Sequence, residues 1–421
     1  MSYDNEAVAL DNEYVIHTYG RLPVEFVAGT GAVLTDADGN EYLDFLAGIG
    51  SVSLGHAHPA LVKALQDQAA KVWQVGNYYY EENRGELAKH LSELLSATTD
   101  EQGVVTGTTG TTWKTFFANT GAEANEGAFK LARRWGEKNL NGATGIVTAR
   151  KSFHGRTLAT LSATGQDVFH QSFKPLPAGF CSVPLNDFDA LVATVDNPPV
   201  ECGPVCAVML ECIQGEGGVW PADLDYLRSV ADFCHQRNLV VVIDEVQTGF
   251  FRTGAPFSYQ RAGIEPDVVS MAKGIAGGFP TGAVAARAQV ADLLVPGDHG
   301  STFGGNPLAA AVGRACVETL VAENIGAHVR EVGNHLAERL AALPHVVEVR
   351  GAGLMRGAQL DVPIATPLVD DGLALAGKDA YGLVLNHIGD SILRFLPPLV
   401  VTNEQIDAMA DALEALIANR S

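Results

Sequence analysis

Basic residues are scarce in this 421-residue chain: 28 Lys and Arg stand against 49 Asp and Glu, a formal net charge of −21. So large an acidic excess argues against a surface for nucleic acid or anionic membrane, though a local basic pocket can still sit within it. Long apolar runs are missing too, since none approaches the ~18 uninterrupted residues of a membrane-spanning helix. The first residues, MSYDNEAVALDNEY, are acidic and lack an apolar stretch of signal-peptide length. A soluble, cytoplasmic protein is expected. Cysteine is sparse, with six residues scattered and no pair at CxxC spacing. Cys206 and Cys212 fall in or beside an apolar run, so core packing is expected rather than a metal site or a disulfide.

What is present indicates a folded α/β protein. Hydrophobic residues make up 47% and charged residues 18%, as in globular chains. The length suits one large core with a smaller second domain. Residues 31–34 and 41–45, around the turn Asp36–Gly39, read as a hairpin. Pro59 starts a helix with apolar residues at Leu61, Val62, Leu65, Ala69 and Val72, and a second helix covers about 84–95. Residues 97–113 are rich in Thr and Gly and read as an exposed loop. From Lys114 onward strands (115–118, 145–149, 180–183, 205–211, 239–243, 268–271) alternate with helices (124–139, 224–237). That alternation predicts a mostly parallel sheet covered on both faces. A long Ala-rich helix after Pro307, strands near 346–349 and 392–395 and a last helix at 403–418 read as a smaller α+β domain. The expected division is 1–59 packing with the small domain, 60–310 as the large domain and 311–421 as the small one.

Two strand ends carry the most chemistry. The run NLVVVIDEV (238–246) brings Asp244 to the end of one buried strand, and DVVSMA (267–272) is followed at once by Lys273. Open α/β sheets place ligands at the C-terminal ends of their strands. A lysine and an acid on neighbouring ends suit pyridoxal phosphate: the amine forms a Schiff base with its aldehyde, and the acid holds the pyridine nitrogen protonated. The same residues also admit a magnesium-binding acid of a P-loop ATPase and a solvated surface lysine. Further segments bear on the choice. Gly121 and Ala122 open a helix after a strand and offer amides to a phosphate, or Thr120 merely caps that helix. Phe153 is placed to stack on a ring, and Arg156 to fork onto a carboxylate. Glu216 lies between glycines and is a candidate partner for a pocket arginine, and Thr302 offers a hydroxyl to a phosphate. His56 and His58, in GHAHP, read as a turn rather than a metal pair, and no metal is expected.

Taken together, NTGAEANEGAFKLAR, FHGRT, QGEGG, IDEVQTGFFRTG, MAKGIAGGFPTGA and STFGGNPLA resemble the class III (ω-amino-acid) aminotransferases, from Tyr19 to Arg394. The resemblance implies pyridoxal-phosphate fold type I, the aspartate aminotransferase-like α/β fold, and pyridoxal 5′-phosphate as cofactor. It implies that Lys273 bonds the cofactor and shuttles the proton, that Asp244 pairs with the pyridine nitrogen, and that Gln247 lies near the phenolic oxygen. Phe153 and Val246 would cover the ring faces. Gly121 and Ala122 would bind the phosphate, with Thr302 supplied by the neighbouring subunit of a homodimer. Tyr19, Arg156, Glu216, Ser301 and Arg394 would bind substrate, with Glu216 releasing Arg394 when 2-oxoglutarate enters. Tyr19, an aliphatic Ile49 and the segment Asn77–Tyr80 most resemble the acetylornithine enzymes of arginine biosynthesis. Succinylornithine, ornithine and 4-aminobutyrate remain alternative donors. A decarboxylase, a racemase, an aminomutase and a non-catalytic cofactor-binding homologue remain alternative classes.

Overall fold

The computed structural model describes residues 6–377 and 380–420. Its centre is a seven-stranded sheet of β1 (Trp113–Ala118), β2 (Gly145–Ala149), β3 (Phe180–Val183), β4 (Val205–Leu210), β5 (Val240–Asp244), β6 (Val268–Met271) and β7 (Gly282–Arg287). The spatial order is β1-β7-β6-β5-β4-β2-β3. β7 is antiparallel to both its neighbours, and the other strands run in one direction. Every residue of β2, β4, β5 and β6 is buried. These strands therefore read as continuous apolar runs without alternation, as expected when helices cover both faces.

Helix α1 (Gly121–Asn139) follows β1 and lies on the sheet. It approaches closely because its inner face is small: a Cβ on Gly127 would stand 2.8 Å from Val284 Cγ1. Helix α2 (Leu224–Gln236) precedes β5, and α3 (Pro307–Ala322) follows the sheet. Asn306 caps α3 by accepting from the Ala309 N–H at 2.9 Å, and Pro307 occupies the first turn.

Beyond α3 a four-stranded antiparallel sheet forms in the order Val346–Ala352, Met355–Leu360, Ile392–Phe395, Asn386–Ile388. Helices Ile325–Ala341 and Asn403–Ala418 pack on each other beside it. The N-terminal strands Phe26–Thr30, Val33–Asp36 and Glu41–Asp44 form a third sheet, completed by Gly382–Val384 running parallel to Glu41–Asp44.

Residues 97–113 depart from the expected loop. Ala97–Thr99 pairs antiparallel with Val105–Thr108, and β1 begins at Trp113. The Asp100 carboxylate closes the turn by accepting from the N–H groups of Gln102 (3.0 Å) and Val104 (2.9 Å), with Gly103 at φ +87°. The β-branched threonines that suggested a polar loop are good strand residues once a turn brings them together.

Candidate active site

The ends of β1, β4, β5 and β6 meet at a cavity of about 570 Å³. Asp244 is the last residue of β5 and is 4% exposed. Its Oδ2 accepts from Asn125 Nδ2 at 2.8 Å and from His154 Nδ1 at 2.9 Å, and its Oδ1 from the Val246 N–H at 3.0 Å. Three donors from three segments fix this carboxylate at the cavity wall. Burial alone would lower the His154 pKa, but the hydrogen bond and charge of Asp244 outweigh it and raise the imidazole above its ordinary value. His154 Nε2 and Asn125 Oδ1 are buried without a partner.

Lys273 stands on the neighbouring strand end, two residues beyond β6, with φ +45°. A non-glycine residue in the left-handed region is uncommon and is found where surrounding structure holds it. Burial lowers the pKa of its amine, although Glu216 opposes the shift. A larger neutral fraction makes the amine a better nucleophile.

Gly121 and Ala122 form the first turn of α1 at another edge of the cavity, where their amides have no intrahelical carbonyl to bond. Thr120 Oγ1 accepts from the Glu123 N–H at 3.1 Å, so the cap and the free amides coexist. The wall is kept clear here. A Cβ on Gly121 would lie 2.8 Å from Val246 Cγ1, and one on Gly155 would lie 2.9 Å from Ala122 Cβ.

Phe153, Arg156, Glu216, Val246, Gln247 and Tyr19 complete the expected residues in the wall. Arg156 stacks on Phe169, 3.8 Å from the ring centroid, and lies 5.4 Å from that of Phe153. Glu216 Oε1 accepts from Arg394 Nη1 at 2.5 Å and from Gln247 Nε2 at 3.3 Å. Arg394 comes from the small sheet, is 2% exposed, and donates its Nε to Asn386 at 2.8 Å. Burial would raise the Glu216 pKa, but the charge and hydrogen bond of Arg394 prevail and hold it below the ordinary value.

Three expected residues lie elsewhere. Ser301 and Thr302 line a separate cavity of about 360 Å³ that shares Asn119 with the first. Ser301 Oγ is engaged there, accepting from Asn119 Nδ2 (3.1 Å) and the Gly304 N–H (3.0 Å). Ile49 is absent from the main cavity wall; Gly48 and Ile49 both take left-handed φ, and Ser51 is the residue of this turn that reaches it. His56 bonds Asp44 at 2.8 Å, and His58 caps the helix Pro59–Ala69. A larger cavity, about 840 Å³, opens near Leu239 and Asp267 at the opposite ends of β5 and β6, but the Asp267 carboxylate is already taken by the Val241 N–H and Arg287.

Sequence reasoning missed Asn125, His154 and Glu211. All three stand inside motifs quoted above or beside them, but the contacts Asn125–Asp244, His154–Asp244 and Glu211–Phe153 span 119, 90 and 58 residues.

A pyridine aldehyde bearing a phosphate fits this donor set. The cavity offers an amine whose pKa burial lowers, a clamped carboxylate on the adjoining strand, free first-turn amides and open space beside Phe153 and Val246. Comparison with known proteins agrees. The family model for aminotransferase class-III matches residues 14–417. An acetylornithine aminotransferase of Caldanaerobacter subterraneus subsp. tengcongensis is 42% identical over 416 residues, covering 98% of this chain and 99% of that protein. Acetylornithine aminotransferase 1 of Bordetella bronchiseptica is 43% identical over 403 residues, covering 95% and 96%. Among solved structures, the ornithine aminotransferase of Toxoplasma gondii superposes with a TM-score of 0.88 at 29% identity, covering 99% of this chain and 96% of that one. Acetylornithine aminotransferase from Elizabethkingia anophelis gives 0.81 at 29%, covering 98% of both. With most of its family motifs lining one cavity and the family model matching residues 14–417, the chain belongs to the class-III aminotransferases, enzymes that depend on pyridoxal phosphate.

Proposed function

We propose that this protein transfers the δ-amine of N-acetylornithine to 2-oxoglutarate, giving N-acetylglutamate semialdehyde and glutamate, as a step of arginine biosynthesis. The observation that carries the reading is the pair of half-buried Glu216 with buried Arg394, beside a cavity whose wall also holds Arg156. An acceptor with two carboxylates needs two arginines, whereas a donor with one needs the second arginine neutralised. The identity to acetylornithine enzymes over nearly the whole chain supports the choice of donor.

When bound, the cofactor supplies an electron sink for the charge left at the substrate carbon after deprotonation. Lys273 Nζ would hold the cofactor, give way to the substrate amine and then move the proton from the substrate carbon. Asp244, oriented by Asn125 and His154, would face the pyridine nitrogen. Gly121 and Ala122 amides would hold the phosphate, Gln247 would lie near the phenolic oxygen, and Phe153 and Val246 would exclude water from the ring faces. Arg156 would bind the donor's α-carboxylate.

The three carboxylates in the wall are all engaged: Glu216 by Arg394, Asp244 by Asn125 and His154, and Glu211 by backbone amides. The acylated α-nitrogen of N-acetylornithine is neutral and asks nothing of them. The α-ammonium of ornithine would be desolvated with no unengaged carboxylate in the wall to pair with, which is costly.

We further propose a homodimer in which Thr302 of a second copy completes the phosphate site. Trp73, Tyr78, Tyr80 and Phe303 are strongly exposed, and Asn77 Nδ2 donates to the Ser301 carbonyl at 2.8 Å. An aromatic patch tied to the 301–304 loop suits a subunit interface. The pairing of Glu41–Asp44 with Gly382–Val384 supports grouping 1–59 with a small domain of 311–421, apart from 60–310.

Single-turnover chemistry tests the reaction class. Holoenzyme given N-acetylornithine alone should yield one equivalent of semialdehyde per site and stop, and 2-oxoglutarate should then release one equivalent of glutamate. Release of carbon dioxide, or turnover without an acceptor, would overturn the reading.

A further inference from the structure

Glu211 follows directly on β4 and is 6% exposed, yet no step above uses it. It lines the main cavity. Its Oε2 accepts from the Phe153 N–H at 3.0 Å and its Oε1 from the Gly215 N–H at 3.4 Å. These amides belong to the two loops that carry Arg156 and Glu216, two of the proposed substrate residues. Phe153 leads into His154 and Arg156, and Gly215 leads into Glu216. The second loop runs close against Gln247 at this point: a Cβ on Gly215 would overlap Gln247 Oε1. One other direct tie between these segments, Gln214 Nε2 to the Arg150 carbonyl at 2.8 Å, reaches only the start of the first loop.

We propose that Glu211 is a positioning residue whose two oxygens hold the Phe153–Arg156 loop in register with the Gly215–Glu216 loop, so that Phe153, Arg156 and the Glu216–Arg394 pair keep a fixed separation across the cavity. The proposal rests on the reading of this cavity as the cofactor and substrate site. The charged and titratable groups around Glu211 are His154, Asp244, Lys273 and the adjoining Cys212. Burial pushes the Glu211 acid up to about 7; His154 opposes the shift and Asp244 adds to it. As the pH falls through that value, one carboxylate oxygen becomes a hydroxyl, which accepts a hydrogen bond less well. The grip on one loop then weakens.

Holoenzymes carrying Glu211→Gln and Glu211→Ala provide the test. Gln keeps one accepting oxygen and sets an amide NH₂ where the other stood. Two readouts are compared with wild type: the circular dichroism of the bound cofactor across the neutral pH range, without substrate, and the 2-oxoglutarate KM against kcat in exchange with L-glutamate. In wild type the dichroic amplitude should fall as the pH drops through about 7. In Glu211→Gln it should be low and flat with pH, with the 2-oxoglutarate KM raised roughly tenfold and a thermal midpoint close to wild type. Glu211→Ala should move further in the same direction; if it does not fold, the Gln variant decides. A Gln variant with wild-type amplitude, pH dependence and KM overturns the proposal. If wild type fails to exchange glutamate with 2-oxoglutarate, the functional reading fails, and the dichroism still judges Glu211 by itself.

Discussion

Glu216→Gln keeps the shape of its side chain and removes its charge, which isolates the electrostatic part of the proposed substrate switch. Arg394 would keep Asn386 and lose its charged partner. Breaking a fully buried pair costs about 3–5 kcal/mol. The Glu216 side chain is 30% exposed and Gln still offers a carbonyl, so a charge-assisted hydrogen bond of about 1.5–3 kcal/mol is the better measure. That corresponds to roughly 10- to 100-fold. Under the proposed switch, 2-oxoglutarate would have to displace Glu216 in wild type before reaching Arg394, and in the variant this competition would be gone. The KM for 2-oxoglutarate should therefore fall, while kcat/KM for N-acetylornithine drops because Arg394 stays uncompensated. Stopped-flow measurement of each half-reaction should give a shift of at least about tenfold in their ratio. The effect should persist across neutral pH. The folded pKa of Glu216 is lowered from 4.5, so the pair is fully formed above that value and is lost only as the pH falls through the lower folded value. A ratio within about twofold of wild type would refute the switch.

Lys273→Ala should lose the visible absorbance of lysine-bound cofactor and at least about 10²–10⁴-fold in turnover while still retaining cofactor through the phosphate contacts, read by absorbance and dialysis. His154→Gln should lower cofactor affinity roughly tenfold by unclamping Asp244. Because the His154 pKa is raised above 6.5 in the fold, its protonated form stabilises fully below that value and the benefit fades as the pH rises through the raised one; thermal melts should show the variant's deficit shrinking at alkaline pH. Thr302→Ala should weaken cofactor retention, and dilution of wild type should do the same; a dilute, fully active monomer in sedimentation and activity measurements would contradict a shared site.

Much of the site was legible because parallel-sheet chemistry gathers at strand ends. Asp244 and Lys273 each close a run of buried β-branched or apolar residues, and Gly121–Ala122 sit where a strand passes into a helix. β7 was not legible. GAVAAR is alanine-rich, carries weak strand propensity and follows the glycine-rich turn after Lys273; it becomes a strand because β1 and β6 leave a place between them. The hairpin within 97–113 was hidden by its threonines, which suit both loop and strand. Asn125 and His154 were hidden for another reason. Each looks like an ordinary polar residue, and only the long-range closure of the sheet brings both to Asp244. Ile49 stands in the left-handed turn at 48–49, from which Ser51 lines the main cavity.

The most direct test of the account is kcat/KM for a panel of amino donors with 2-oxoglutarate as acceptor. The engaged carboxylates of the cavity wall predict N-acetylornithine first, with ornithine and 4-aminobutyrate lower on the order of 10²-fold, and Arg156→Ala should lower kcat/KM for N-acetylornithine. Ornithine or 4-aminobutyrate at a kcat/KM equal to or above that of N-acetylornithine, with Arg156→Ala leaving acetylornithine use unchanged, would contradict it.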